Sequence, residues 1–436
     1  MLKATNSFLA KEVSVFLYSI SLLPLWWILG VDFVVYHLVA IYFLFRLPAI
    51  YKPDAPVKVI LILMVFILLL SNFISYLFFD FEPFRHFSAI NNASVLLVGY
   101  CYYSLSDFFL KRGFVRLPDI LRAGYYIALV YIALAVFLFY FVVNGTGGEG
   151  MRVPTLFGII TPEAPGLLGK YQEAILVSSN WFMGDATPRL FILAPYATGT
   201  ALVGCICAFW GAAYLHSKNT SSKLRWLFLM CMFIGVILTL SRATVTGYIL
   251  GIMIVVFASI SKRMLGVLLP LILIFIMLSV PYLVELFQVG LESRQGSTNT
   301  RMFSYLLSID IVLKENFLTG IGVKPRYEHM LIPVGSHSSF IGLMVRGGGV
   351  ALIMAFFMFV ILPIAKCYSI YVSRLKDSSL DQVPLYLIGC YICCLLFLVF
   401  QDIDAYPSLC MLVFVTLAMI FFSAGSIDRT KEADGV

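Results

Sequence analysis

The sequence predicts an all-α, polytopic membrane protein of about twelve transmembrane helices with two long loops on one side. Composition, uncharged stretches and the placement of Lys and Arg carry that expectation. Of the 436 residues, 61% are hydrophobic and only 12% are charged, whereas soluble domains carry roughly a quarter of charged residues. Val13 to Val31, Val59 to Phe79, Ala123 to Val143 and Met264 to Val284 contain no charge at all. Each is long enough to cross the ~30 Å hydrocarbon layer as a helix.

Reading the other apolar stretches in the same way gives spans near 13–31, 33–50, 59–79, 87–107, 123–143, 192–215, 226–241, 243–261, 264–284, 338–363, 383–401 and 406–424. The first follows Lys3 and Lys11 as a signal sequence would, but no small-residue cleavage site follows it, so it reads as retained. The clusters Lys111/Arg112/Arg116/Arg122, Lys218/Lys223/Arg225, Lys262/Arg263 and Lys366/Arg374/Lys376 fall on one face of this twelve-span arrangement. Cytoplasmic loops are enriched in Lys and Arg, which puts both termini in the cytoplasm. The net charge of +7 is thus a topology signal and implies no nucleic-acid partner.

The nine cysteines lie in or beside apolar spans, which argues against a disulfide framework. Cys390, Cys393 and Cys394 have Tyr, Ile and Leu neighbours instead of further metal ligands, so they read as small packing residues. The chain reads as one membrane domain, 1–436, interrupted by loops at 144–191 and 285–337. Loops of that length are functional or disordered, and neither has a disordered composition. The first carries Gly158, Pro162, Pro165, Gly166 and Gly169 among apolar residues, suggesting an ordered cap or re-entrant segment. In the second, Met302, Leu306, Ile309 and Leu313 are spaced to share one helical face, and Gly320-Ile321-Gly322 ends the pattern.

A few charges stand out against the positive-inside pattern. Arg242 divides the uncharged run from Trp226 to Ser261, too long for one span, so the chain turns there on the outer face. It is either an interfacial Arg reaching for water or an anion ligand, since its guanidinium offers a fixed fork of donors matched to phosphate. Arg301 opens the amphipathic stretch, and His337 directly precedes a span; each is a candidate ligand or an ordinary interfacial residue. Arg346, nine residues further on, lies about 13 Å down the helix at 1.5 Å per residue. Intramembrane charges are functional candidates, and the alternative for Arg346 is a structural pair with an acidic neighbour. Asp402 and Asp404 end the eleventh span on the outer side, where they either orient a sugar hydroxyl or keep a turn in water. Arg189 ends the first long loop and is a candidate of the same kind.

No phosphate-binding glycine loop, HExxH signature or Gly-x-Ser-x-Gly elbow occurs. The arginines, one histidine and two aspartates suit an anionic lipid-linked substrate, handled without nucleotide, metal or other cofactor.

Three segments resemble the O-antigen ligase and Wzy-type polymerase superfamily: Leu240-Ser241-Arg242; Asn299-Thr300-Arg301-Met302 followed by Asn316-Phe317-Leu318-Thr319-Gly320-Ile321-Gly322; and His337-Ser338 opening a Gly-rich span. They define a core at 226–363. The ligase pattern of His, a polar residue, nine residues and Gly-x-x-Gly/Thr/Tyr is met by His337, Ser338 and Gly348, but Ala351 stands at its end; Thr246 replaces an expected Leu.

The resemblance implies a GT-C-like membrane glycosyltransferase in the bacterial inner membrane, acting at its periplasmic face. Its substrate would be an undecaprenyl-diphosphate-linked glycan, and a chain-length regulator a possible protein partner. Arg242 and Arg301 match the family's paired arginines, expected to clamp the diphosphate, and His337 matches its histidine, which activates the acceptor or binds the diphosphate. Arg189, Arg346, Asp402 and Asp404 are the expected further substrate contacts. The leading expectation is a repeat-unit polymerase, with a ligase acting on lipid A core as the close alternative and a polysaccharide flippase as the alternative of another class.

Overall fold

A computed structural model describes all residues except 1, 53–54, 145–149, 164–168, 170, 180–187, 260–294, 328–332, 377–380 and 434–436. The expected span at 264–284 and the start of the second long loop lie outside the described residues.

The expected span at 13–31 is bent. Helix α1 (Leu2–Ser21) and α2 (Leu23–Leu29) meet at a 61° bend. Pro24, in the first turn of α2, lacks the amide that a continuous helix would use, and its ring crowds the preceding turn. After α3 (Asp32–Arg46) come three long helices, α4 (Pro56–Phe78), α5 (Pro83–Lys111) and α6 (Leu117–Asn144).

The described residues of the first long loop include a small sheet. Strands β1 (Met151–Pro154), β2 (Glu173–Ser179) and β3 (Pro188–Leu190) pair antiparallel in that order, with a one-turn helix α7 (Leu156–Ile160) between the first two. The alternation Ala174, Leu176 buried against Glu173, Ile175 less so supplies the strand pattern of β2.

Then follow α8 (Ala197–Ser217), α9 (Ser222–Ile237), α10 (Arg242–Ser259), α11 (Gln295–Glu315), α12 (Ser339–Phe356), α13 (Leu362–Lys376), α14 (Val383–Phe400) and α15 (Pro407–Ala433). Helices α12 and α13 run on through one π turn at Phe357–Ile361. Among the described residues seven helices are long and apolar enough to cross a membrane, eight if the bent N-terminal pair is one span; α10 has a shorter apolar stretch. The fold is an all-α polytopic membrane bundle.

Helices α5, α8 and α15 form its centre, buried over 83%, 89% and 83% of their apolar stretches, with α14 at 67% beside them and α6 at 33% on the outside. Tails of lipid do not drive helices together, so close backbone approach has to. Gly251 of α10 faces the backbone of Gly389 on α14, and Phe209 of α8 closes over both. The nine cysteines are free, eight of them buried in this packing. On α11, Met302, Leu306, Ile309 and Leu313 do share a face, and that face is exposed while Ser304, Ser308 and Val312 are buried. An interfacial helix turns its apolar side to lipid in this way.

Helix α12 is interrupted at Gly348, whose φ of 68° and ψ of −165° belong to a region open essentially to glycine. The interruption breaks the bonds from Gly349 and Val350 back to Val345 and Arg346. The segment Phe317–Gly322 replaces them in both directions. Ile321 N donates to Val345 O at 2.8 Å and Gly322 N to Arg346 O at 3.2 Å; Gly349 N donates to Phe317 O at 2.7 Å and Val350 N to Leu318 O at 3.4 Å. Ser71 Oγ on α4 holds the same segment through Thr319 O at 2.5 Å.

Gly348→Ala would place a methyl group against Leu318 O in a backbone conformation costing about 1–3 kcal/mol for any other residue. The expected result is a lower thermal unfolding midpoint of the detergent-solubilised protein; an unchanged midpoint would show that the clip does not stabilise the bundle.

Candidate functional site

At the loop-bearing end of the bundle, Arg189, Arg242 and Arg301 line one cleft of about 540 Å³. Each comes from a different part of the chain. Arg189 is in β3, and Leu190 N donates to Leu238 O at 3.0 Å, so the sheet is tied to the turn that leads into α10. In that turn Leu240 has a φ of 52°, and Arg242 is the first residue of α10. Arg301 projects from α11.

Thus the cleft contains the open first turn of a helix, Ser241 to Thr244, where unsatisfied amides and the helix dipole favour an anion. Ser241 Oγ and Thr244 Oγ1 are hydrogen-bonded at 2.9 Å. No carboxylate lines this cleft among the described residues. Burial lowers the Arg301 pKa, and the neighbouring Arg242 charge lowers it further against the opposing effect of Tyr305.

His337 is held from three sides. Its φ of 65° is unusual for a residue with a side chain, though histidine tolerates it better than most. Tyr305 OH on α11 donates to its carbonyl at 2.5 Å, and its own N–H donates to Asp402 Oδ2 at 3.3 Å. Gln401 lies close enough to the ring to raise its pKa. Burial pushes the His337 pKa down, and the Arg301 charge adds to the effect while Asp402 opposes it. The shift favours the uncharged imidazole.

The segment around Asp402 is stitched to the start of α12. Ser338 caps α12, its Oγ accepting from Ile341 N, while Ser339 Oγ donates to Gln401 O at 2.6 Å and accepts from Ile403 N at 2.9 Å. Gln401 is extended, with φ −151° and ψ 158°. Successive side chains on extended backbone point to opposite sides; Gln401 lines the arginine cleft and Asp402 does not.

Asp402 Oδ1 is ion-paired with Lys324 Nζ at 2.9 Å. Burial lowers the Lys324 pKa, opposed by Asp402. Arg346 and Asp404 form a second, fully buried ion pair, with side chains 2% and 3% exposed.

The structure thus brings Arg189, Arg242 and Arg301 into one cleft and sets His337 and Asp402 against its wall. Arg346 is paired with Asp404 and also lines the neighbouring cavity. Asp404, expected as a substrate contact, lines neither this cleft nor its neighbour; it is the partner of Arg346. Neither aspartate is a solvated turn residue: Asp402 is mostly buried and Asp404 fully so.

Sequence reasoning missed Lys324, Tyr305 and the wall residue Gln401. Lys324 carried a usable signal, since it is a lysine two residues past Gly320-Ile321-Gly322 on the side where the positive-inside rule disfavours it. Tyr305 carried none.

A polytopic bundle with a cationic cleft built on a helix N-terminus is a membrane protein equipped to receive an anionic group. Residues 227–356 match the protein-family model described as O-antigen ligase, a segment that includes Arg242, Arg301, Lys324, His337 and Arg346 but not Arg189, Asp402 or α5. The match supports the O-antigen ligase/polymerase superfamily and a glycosyltransferase-type activity common to its ligases and polymerases. No curated protein matches the chain significantly.

Because Lys324 and Asp402 are both largely buried, removing one strands the other, at a cost of about 3 kcal/mol for a buried pair. Lys324→Met and Asp402→Asn are each expected to lower the unfolding midpoint, and the double variant to lose less than their sum. Strict additivity would mean that the pair does not couple.

Proposed function

We propose that this protein polymerises oligosaccharide repeat units, transferring a growing glycan from undecaprenyl diphosphate to a hydroxyl of the next lipid-linked unit at the periplasmic face of the inner membrane. The observation that carries the reading is the convergence of Arg189, Arg242 and Arg301 on the N-terminus of α10, with His337 bonded through its N–H to Asp402, the residue after the cleft-lining Gln401.

The chemistry needs two things from the protein. As the anomeric C–O bond breaks, its electron pair stays with the diphosphate, and charge builds there. Arginine forks and helix amides already in place stabilise that charge without reorganisation, the largest single contribution in many enzymes. The acceptor hydroxyl forms the new glycosidic bond and gives up its proton. A neutral imidazole can take it and pass it to the released diphosphate or to water. Of the two roles open for His337, the depressed pKa favours the base. Asp402 then acts through the His337 backbone and Lys324, and Tyr305 through the His337 carbonyl. A chain-length regulator remains the expected protein partner in such a system.

The ligase alternative is favoured by the description of the matched family, the polymerase reading by Ala351 and Thr246, where the ligase pattern has other residues. Gene deletion separates them. Lipid A core capped with a single repeat unit would support a polymerase; polymer stranded on undecaprenyl lipid would overturn it in favour of a ligase.

Arg242→Gln and Arg301→Gln should abolish polymer with protein still in the membrane, and Lys at either position should restore only part of it, because an ammonium is a point charge without the planar fork. Wild-type polymer length in both variants would sink the diphosphate clamp.

The pH dependence has a definite sign. A neutral base is lost as pH falls through its pKa, and the His337 pKa lies below the ordinary 6.5. Turnover of purified protein should therefore hold from pH 7 to below 6.5 and then decline, and His337→Gln should be slow and lack that acid limb. An acid limb retained in His337→Gln would assign it to another group.

A further inference from the structure

On the other side of the Gln401–Asp402 segment lies a second cavity, of about 630 Å³. It is formed between α5, through Arg85, Asn91 and Asn92, and the far wall of the candidate site, through Lys324, Asp402 and the buried Arg346.

In this cavity each cation has a carboxylate partner: Lys324 with Asp402 at 2.9 Å, Arg346 with Asp404, and Arg85 with Glu82 at 3.8 Å. The charges largely cancel, so the cavity does not select an anion. What remains is a set of amides and hydroxyls, Asn91, Ser88 and Ser336 with Asn92, whose amide nitrogen donates to Ser88 O and Asp404 O and leaves its oxygen as an acceptor; together they offer donors and acceptors. That is the complement of a polyhydroxylated, uncharged ring. At its edge Arg346 is 1% exposed, and its Nη1 has no hydrogen-bond partner among the described residues. A buried polar atom left in this state is costly unless a ligand completes it.

His337 lines neither space, but its neighbours line both: Ser336 and Asp402, whose Oδ2 accepts from the His337 N–H at 3.3 Å, line the second cavity, and Gln401 lines the arginine cleft.

We propose that this second cavity binds the terminal sugar of the acceptor glycan, an uncharged pyranose held by Asn91, Asn92 and Arg346, with Arg85 and Asn91 setting which sugar is accepted. It rests on the reading that the arginine cleft holds the donor's diphosphate. The cavity joins two parts of the chain: α5, outside the matched segment 227–356, and Lys324, Ser336 and Arg346, within it. Sugar specificity would then reside in α5, and the leaving-group machinery in the matched segment.

The test is binding by the purified full chain in detergent of two probes: the repeat-unit oligosaccharide released from the host's own surface polysaccharide, and undecaprenyl diphosphate. Asn91 and Arg85 are only partly buried, and unfolding midpoints of Asn91→Leu and Arg85→Gln verify that both variants fold. Asn91→Leu is expected to weaken oligosaccharide binding about ten-fold, the worth of one or two good hydrogen bonds, and Arg85→Gln to weaken it less, while both keep wild-type affinity for undecaprenyl diphosphate. Arg301→Gln should do the reverse. Wild-type protein that fails to bind the oligosaccharide, or folded Asn91→Leu and Arg85→Gln proteins that bind it unchanged, would overturn the acceptor site. Undecaprenyl diphosphate binding that survives both Arg242→Gln and Arg301→Gln would instead overturn the donor reading beneath it.

Discussion

Hydrocarbon offers no hydrogen bonds, so an unwound turn inside a membrane helix has to find partners within the protein. In this chain the break at Gly348 finds them in the backbone of Phe317–Gly322, which donates to Val345 and Arg346 and accepts from Gly349 and Val350. Discontinuous helices in transporters line substrate cavities near the midplane; here the gap is filled by peptide. The clip fixes the loop immediately before Lys324, and through Lys324 it fixes Asp402, whose other oxygen accepts from the His337 backbone. One glycine thereby sets the height at which the histidine and its carboxylate sit.

The arginines depend on a different set of ties. Arg189 reaches the cleft because a small sheet, capping the bundle, hydrogen-bonds to the turn after α9. Arg242 is there because that turn opens directly into α10, and Arg301 because α11 lies across the bundle end with its serine side inward and its apolar side outward. Burial, and then the neighbouring Arg242 charge, lower the Arg301 pKa. The gathering of three guanidiniums in one cleft is the basis for the proposed reading of it as a leaving-group site.

Two buried ion pairs sit within one short stretch, at Asp402 and Asp404. Buried pairs add little net stability compared with apolar packing, so their use here is geometric. Arg346 pins the segment from below and Lys324 from the side, and Ser339 fastens the backbone between them. The extended chain at Gln401 then sends neighbouring side chains to opposite sides, which divides one polar region into two spaces with different electrostatics.

Hydropathy and charge placement alone determined that this chain is a helical membrane protein, and a charge on the disfavoured side pointed to Arg242, because those signals are one-dimensional and survive in the order of residues. The shared apolar face of Met302, Leu306, Ile309 and Leu313 was legible for the same reason, being a local period. Which way that face turns was not. Nor could spacing along the chain reveal that Arg346 would pair with Asp404, that Lys324 would meet Asp402, or that a glycine-rich turn would close on a break 30 residues later. Those are contacts between segments distant in sequence, and only the tertiary structure decides them: it alone specifies which backbone groups are left unsatisfied and which charges are near enough to answer them.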